Sequence, residues 1–299
     1  MYDIIILGSG PAGLTAALYG ARAGKKTLVL GGDSFGGQLN VIHSLENYPG
    51  FLGSGPDLGQ FMKTQAESFG VEIVMASAIK IEQRAESIEH RYKVVADNGH
   101  EYIGRSVIIA TGAKPRKMDI PGVREFIGRG VSYCATCDGF FYTDRDVIVV
   151  GGGNSALSDA LYLANVAKSV KIIHRKDSFS RAEDIVVKRV EDTSNISIEW
   201  NTELAEIGGD ESGVTHVISV GGKRIDATGV FIAIGHEANT DYLSEEIKRD
   251  DMGRLAGADL PVGMYVAGDV QSGLKMQVAT AVGAGCDVAM DCIACLNQN

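Results

Sequence analysis

The chain reads as an α/β protein of two Rossmann-like, three-layer (ββα) nucleotide-binding domains, the second inserted in the first. Three observations carry this. A strand, a glycine turn and a helix open the chain around Gly8. The same order of parts recurs at Gly151, so the plan is duplicated. After Gly235 the chain runs into a strand ending Gly268-Asp269 and then a long helix, which returns it to the first domain. The expected boundaries are 1–114 with 241–299 for the outer domain, and 115–240 for the insert.

The length of 299 residues suits two ordinary domains. Hydrophobic content of 45% and charged content of 22% are those of a soluble globular protein. A net charge of −10 argues against a nucleic-acid binder, so an anionic ligand needs a local basic pocket. The chain enters a strand at once, which leaves no signal peptide. The most apolar stretch, 278–296, carries Asp287 and Asp291 and reads as too polar for a membrane span. Five cysteines without a secretory signal point to a reducing compartment, here the cytoplasm.

Element by element, Asp3-Ile4-Ile5-Ile6-Leu7 is a buried parallel strand. Gly8-Ser9-Gly10-Pro11-Ala12-Gly13 follows in the G-x-G-x-x-G pattern. Gly8 makes the tight turn, Gly10 admits a pyrophosphate to the backbone, and Gly13 lets helix and strand pack closely. A helix over 14–22 and a strand over 26–30 complete the unit. Asp33 falls slightly late for the ribose-binding acid. Gly36-Gly37-Gln38-Leu39 and Glu46-Asn47-Tyr48-Pro49-Gly50 read as loops where backbone approaches a flat ligand. Residues 81–112 form a meander: strands at 92–96 and 101–103 joined by an Asn98-Gly99 turn, then a buried strand from Val107 to the turn Ala110-Thr111-Gly112.

The second unit has a strand at 146–150 and the turn Gly151-Gly152-Gly153-Asn154-Ser155-Ala156. A helix over 157–166 and a strand over 170–174 follow. That strand ends His174-Arg175-Lys176, with Arg181 beyond it. An acid at this place binds a 2′-hydroxyl, whereas cations accommodate a 2′-phosphate, so the ligand reads as NADPH. Trp200, closing a strand-like run from Ile196, reads as packing. In the outer domain's closing segment, Asp269 is placed to bind a ribose or ribityl hydroxyl.

Within the insert stands Ser132-Tyr133-Cys134-Ala135-Thr136-Cys137-Asp138-Gly139-Phe140-Phe141. Thiols at C-x-x-C spacing can open and close a disulfide, the thiolate being the attacking species. The adjacent Asp138 carboxyl can exchange a proton with a thiol. The bland alternative is half a zinc site, completed by Cys292 and Cys295. The helical pattern around that later pair instead marks them, like Cys286, as small hydrophobes. Phe140 and Phe141 are expected to pack beneath the redox cysteines. His236 could lie near a cofactor or pack structurally.

This constellation resembles the low-molecular-weight thioredoxin reductases over essentially the whole chain. The matching pieces are 8–13, 36–39, 46–50, 110–112, Gly128-Arg129-Gly130, 134–141, 151–156, Ile234-Gly235-His236 and Gly268-Asp269. The resemblance implies FAD in the outer domain, on Gly8, Gly10, Pro11, Ala12, Gly13, Gly37, Gln38, Asn47, Ala110, Thr111, Gly112, Gly268, Asp269 and Gln277. It implies NADPH in the insert, on Gly152, Gly153, Asn154, Ser155, His174, Arg175, Lys176 and Arg181. Electrons then pass from NADPH through FAD to a Cys134–Cys137 pair and on to thioredoxin or a thioredoxin-like protein. Cys137 would face the flavin, Cys134 would attack the partner, and Asp138 would be the acid–base group. The family is homodimeric, and its NADPH domain rotates about hinges near 113–117 and 237–241. No metal, nucleic acid or membrane is implied.

Three departures stand out. Lys176 replaces a second arginine, and Arg181 comes one residue late. Lys275-Met276-Gln277 replaces an aromatic-Arg-Gln triplet, and Ser158-Asp159 replaces an acidic pair. They raise one alternative, the same flavin and dithiol chemistry fed by ferredoxin or a deazaflavin; a flavin-dependent thiol oxidase and a non-catalytic, redox-sensing flavoprotein are separate rivals.

Overall fold

The computed structural model describes residues 1–84 and 91–298. It divides into two compact units, Met1–Lys114 with Glu237–Asn299, and Pro115–His236. The return to the outer unit is thus drawn at Glu237, a little before the expected 241.

The outer unit starts with β1 (Tyr2–Leu7), the Ile-Ile-Ile-Leu run. α1 (Pro11–Arg22) follows, then β2 (Thr27–Leu30), parallel to β1 with Ile4 beside Thr27. α1 begins at Pro11, earlier than expected, because proline at the first helical position has its φ preset and no N–H to satisfy. α2 (Gly55–Ser68) is capped by Ser54, whose hydroxyl accepts the Asp57 N–H. β3 (Glu72–Val74), β4 (Ala78–Gln83) and β5 (Tyr92–Ala96) follow. The part of the expected meander at 85–90 lies outside the described residues.

β6 (Glu101–Ile109) corrects the sequence reading, since the hairpin arm and the buried strand after it are one element. Its first half pairs antiparallel with β5, and its second half runs parallel beside β1, Val107 opposite Ile5. Nothing between Ile103 and Val107 breaks the pleat: Gly104 fits where a Cβ would meet the Ile5 side chain at 2.8 Å. The chain leaves this unit through β7 (Ala113–Pro115).

In the insert, the short helices α3 (Val123–Phe126) and α4 (Ala135–Asp138) flank β8 (Val131–Ser132). β9 (Asp146–Gly151), α5 (Asn154–Ala164), β10 (Ser169–Ile173), α6 (Asp184–Glu191) and β11 (Ile196–Glu199) make the nucleotide-binding plan. β12 (Leu204–Asp210), β13 (Gly213–Ser219) and β14 (Arg224–Asp226) form an antiparallel meander, and β15 (Gly229–Ala233) returns beside β9. The parallel sheet runs β11-β10-β9-β15-β8. Ile148 and Val150 of β9 face the meander, packing with Ile207 and Val217. Val147 and Val149 face α5, packing with Leu157 and Ala160. That alternation produces the three layers.

β16 (His236–Ala238) pairs with β7 in a two-stranded ribbon. The Asn239 N–H donates to the Gly112 carbonyl and the Arg116 N–H to the Gly235 carbonyl. β17 (Met264–Val266) then adds to β6, completing a sheet with the path β3-β2-β1-β6-β5-β4, and α7 (Val278–Gln298) closes the chain. By length and hydropathy α7 is apolar enough to cross a membrane, so Asp287 and Asp291 do not exclude a span as the sequence reading expected. It nevertheless buries a stripe of Ala281, Gly285, Ala289, Cys292 and Leu296. Gly285 presses so close to α1 that a Cβ would meet the Ala12 carbonyl at 2.3 Å.

Candidate active site

In the outer unit, parallel strands β1, β6 and β17 end at one edge of the sheet, where α/β folds place ligands. Gly8 has φ +110°, and a Cβ there would meet the Ala110 carbonyl at 2.3 Å. A Cβ on Gly13 would meet the Gly8 carbonyl at 2.0 Å, whereas nothing lies within 4 Å of one on Gly10. Two glycines therefore serve packing, and the one between them opens onto free space. Pro11 starts α1, and Ala12 is buried beneath Gly268, whose own Cβ would lie 2.8 Å from it. Gly37 passes with its Cβ position 3.4 Å from the Gly10 Cα.

The polar side chains around this edge are held by backbone carbonyls or by one another. Gln38 Nε2 donates to the Ala113 carbonyl at 2.9 Å, and Thr111 Oγ1 to the Asn239 carbonyl at 2.7 Å. Asn47 Nδ2 donates to Gln277 Oε1 at 3.1 Å, joining two predicted residues far apart in sequence. Gly112 has open space on its Cβ side. Asp269 follows β17, half-buried and without a side-chain partner among the described residues, and burial raises its pKa. A flat nucleotide with hydroxyls fits this set: a glycine opening for phosphate and an unpartnered carboxyl for a hydroxyl donor.

In the insert, β9 ends in the turn over Gly151, Gly152 and Gly153, and Gly153 has open space beside it. Asn154 is occupied: Nδ2 donates to Glu183 Oε1 at 2.9 Å and Oδ1 accepts the Glu183 N–H at 2.8 Å. Ser155 is exposed. Arg181 runs beside Gly153 as an isolated parallel bridge. His174 is an internal post, its ring lying over Gly152, where a Cβ would be 2.2 Å from Cε1. Its Nε2 lies 3.2 Å from the Ser178 carbonyl, and its ring is 5.4 Å from Phe179 and 6.0 Å from Trp200. Burial is the main cause that lowers its pKa. Arg175, Lys176 and Arg181 are exposed and have no acidic partner among the described residues, which suits an anion. Trp200 does pack, 4.5 Å from Phe179. Asp159, half-buried on α5, has its carboxyl pushed up to about 7 by burial.

The redox decapeptide spans β8, α4 and a 3₁₀ turn at Gly139–Tyr142. Cys134 and Cys137 form a disulfide with their Cα atoms 5.3 Å apart. Cys134 caps α4: its Sγ accepts the Cys137 N–H at 3.2 Å, and the Thr136 hydroxyl lies 3.4 Å away. Cys137 is exposed and Cys134 half-buried. The Ser132 hydroxyl donates to Asp138 Oδ2 at 2.6 Å and accepts the Cys134 N–H at 3.0 Å. Phe140 and Phe141 do not pack beneath the cysteines; they are 75% and 71% exposed. The 3₁₀ turn presents Gly139 and Tyr142 inward, Tyr142 resting edge-on against Phe231 at 5.3 Å, and so turns both phenylalanines out. His236 is half-buried, and burial lowers its pKa. Cys292 is a buried thiol pushed up to about 12, the state of an inert core cysteine.

Sequence reasoning gave Ser132 and Glu183 no role of their own and placed Asn239 only within the hinge segment 237–241. Ser132 had one local signal, a hydroxyl just before a redox pair. Glu183 and Asn239 had none, because their partners come from distant loops.

The pyridine nucleotide-disulphide oxidoreductase family model matches residues 2–285. A thioredoxin reductase of Mycolicibacterium smegmatis is 41% identical, covering 97% of this chain and 95% of that one. One from Rickettsia conorii is 42% identical over 99% of this chain and 98% of its own. Among solved structures, a Lactococcus lactis thioredoxin reductase superposes with a TM-score of 0.94 at 36% identity, covering 100% of both chains. The chain is thus an oxidoreductase that belongs to the pyridine nucleotide-disulphide oxidoreductases, among their thioredoxin reductases, a family whose members work with a flavin and a nicotinamide nucleotide.

Proposed function

We propose that this chain is an NADPH-dependent thioredoxin-disulfide reductase, reducing thioredoxin or a thioredoxin-like protein through FAD and the Cys134–Cys137 pair. The observation that carries the reading is the Cys134–Cys137 disulfide with Asp138 held beside it by Ser132. In this reading FAD would be held by the outer unit, with Gly10 and Gly37 giving room for its phosphates, Asp269 accepting from a hydroxyl, and Asn47 with Gln277 contributing polar groups to the flavin. NADPH is held by Gly152 and Gly153, with Arg175, Lys176 and Arg181 on the 2′-phosphate. The bound flavin supplies a two-electron relay between the nicotinamide and the disulfide.

The chain's own residues do the rest. The Cys134 thiolate attacks the partner's disulfide, forming one S–S bond and breaking another. The partner's departing sulfur takes a proton from Asp138. Cys137 then attacks Cys134, restoring the intramolecular disulfide and releasing the second partner thiol. The exposed Phe140 and Phe141 offer an apolar landing surface beside the pair. The reading includes a cytoplasmic homodimer without a membrane or nucleic-acid partner. The net charge of −10 and the buried stripe of α7 support the last two points.

A second reading keeps the flavin and dithiol but replaces NADPH by ferredoxin or a deazaflavin. It is favoured by Lys176, which lacks arginine's fork, and by Met276. Anaerobic stopped-flow titration with NADPH and then NADH decides between them. Fast flavin bleaching by NADPH alone supports the first reading, and no fast bleaching by either overturns it in favour of the second.

A further inference from the structure

We infer that Ser132 is a positioning residue for protein-disulfide reduction: it anchors the Asp138 carboxyl to the Cys134 backbone in both protonation states of that acid. This rests on the acid–base reading of Asp138 given above.

Ser132 ends the short strand β8 and is 5% exposed. Its Oγ lies 2.6 Å from Asp138 Oδ2, 3.0 Å from the Cys134 nitrogen and 3.2 Å from the Cys134 carbonyl oxygen. A hydroxyl has one proton and two lone pairs. The Cys134 N–H takes one lone pair. The proton then has two acceptors within reach, and while Asp138 is ionised the closer, charged one wins. Once Asp138 is protonated on Oδ1, Oδ2 remains an acceptor as the carbonyl oxygen and keeps the Oγ proton, so the tether is the same in both states. Neither state leaves a buried polar group unpaired, so a proton can come and go at low cost.

The arrangement also sets direction. Oδ2 is held by Ser132, while Oδ1 has no partner among the described residues and is left to exchange a proton with sulfur. No other side chain among the described residues hydrogen-bonds Asp138, so without the hydroxyl the carboxyl can swing away from the cysteines. The anchor is the backbone of Cys134 itself, which ties the acid to the attacking cysteine and not to the strand alone.

A mutant cycle on the flavin-loaded protein tests this. Wild type, Ser132→Ala, Asp138→Asn and the double variant are reduced anaerobically and mixed with a purified thioredoxin in its disulfide form. The expected result is that Ser132→Ala slows disulfide reduction by about 10-fold or more, with flavin spectrum and melting temperature retained. In the Asp138→Asn background the same change should cost nothing further, and Ser132→Thr should recover most of the rate. A Ser132→Ala loss of equal size with and without Asp138 would overturn the proposal, as would a wild-type rate in Ser132→Ala. Should Ser132→Ala lose its flavin or its fold, Ser132→Thr and Ser132→Val, alike in shape and different in the hydroxyl, decide by the same criterion. If Asp138→Asn alone runs at the wild-type rate, the acid–base reading fails first, and the positioning role falls with it.

Discussion

At the scale of single residues, Asp138 and Asp159 are carboxyls of opposite kinds. Asp138 is tethered next to the disulfide, and its replacement by Asn should leave flavin binding intact while slowing thioredoxin reduction by roughly 100-fold or more, read by steady-state turnover. Cys137→Ser should leave a flavin that is still reduced by the nicotinamide donor but fails to pass electrons on, seen as bleaching without disulfide reduction. Asp159 is raised from 3.8 to about 7 by burial. The folded protein therefore keeps a proton that the unfolded chain releases. Stability on this account falls as pH rises from about 4 to about 7 and is level above that. Asp159→Asn should then stabilise the protein by about 2 kcal/mol at pH 8 and by nothing at pH 4, in paired thermal melts.

At the scale of elements, the loop after β10 is shaped by aromatic packing. His174, Phe179 and Trp200 pack on one another, and the His174 ring lies over Gly152. Trp200→Ala removes two ring contacts, worth roughly 1–2 kcal/mol. It should raise the NADPH concentration needed for half-maximal flavin reduction several-fold while leaving the limiting rate unchanged. Gly13→Ala should abolish flavin retention, measured as flavin absorbance per protein, because its Cβ would strike the Gly8 carbonyl. The glycine turns were legible in sequence because their constraint is local: a tight turn, a close approach and a helix start all fall within six residues. The disulfide pair was legible for the same reason. The outward turn of Phe140 and Phe141 was not, since it depends on which side of a 3₁₀ turn Tyr142 finds Phe231. Nor was the unity of β6, where one strand changes from antiparallel to parallel neighbours without a break in its own pattern. The sequence placed His174 at the end of β10, but only its neighbours Gly152, Phe179 and Trp200 make it a post.

At the scale of the molecule, each apolar cluster lies within one unit. Ile5, Val107 and Leu255 belong to one in the outer unit, and Ile148, Val217 and Val230 to one in the insert. Each unit therefore has a core of its own to lose. The only tryptophan, Trp200, sits in the insert, so its fluorescence reports that unit. Removing the flavin should lower the melting transition of the outer unit, seen by calorimetry, and leave the Trp200 transition where it was. A matching fall in both would show that the units unfold together.

β7 and β16 are the two crossings between the units, and they run side by side, joined at both ends by backbone hydrogen bonds and clasped by Lys114 with Glu237 and Asp241. In genetic terms the insert is a cassette. Its entry and exit are neighbours, so a sequence of any length that brings its own ends together can be spliced there without stretching the host. A gene in which residues 115–236 give way to a short turn should still encode a yellow protein, one that binds flavin and has no disulfide to reduce.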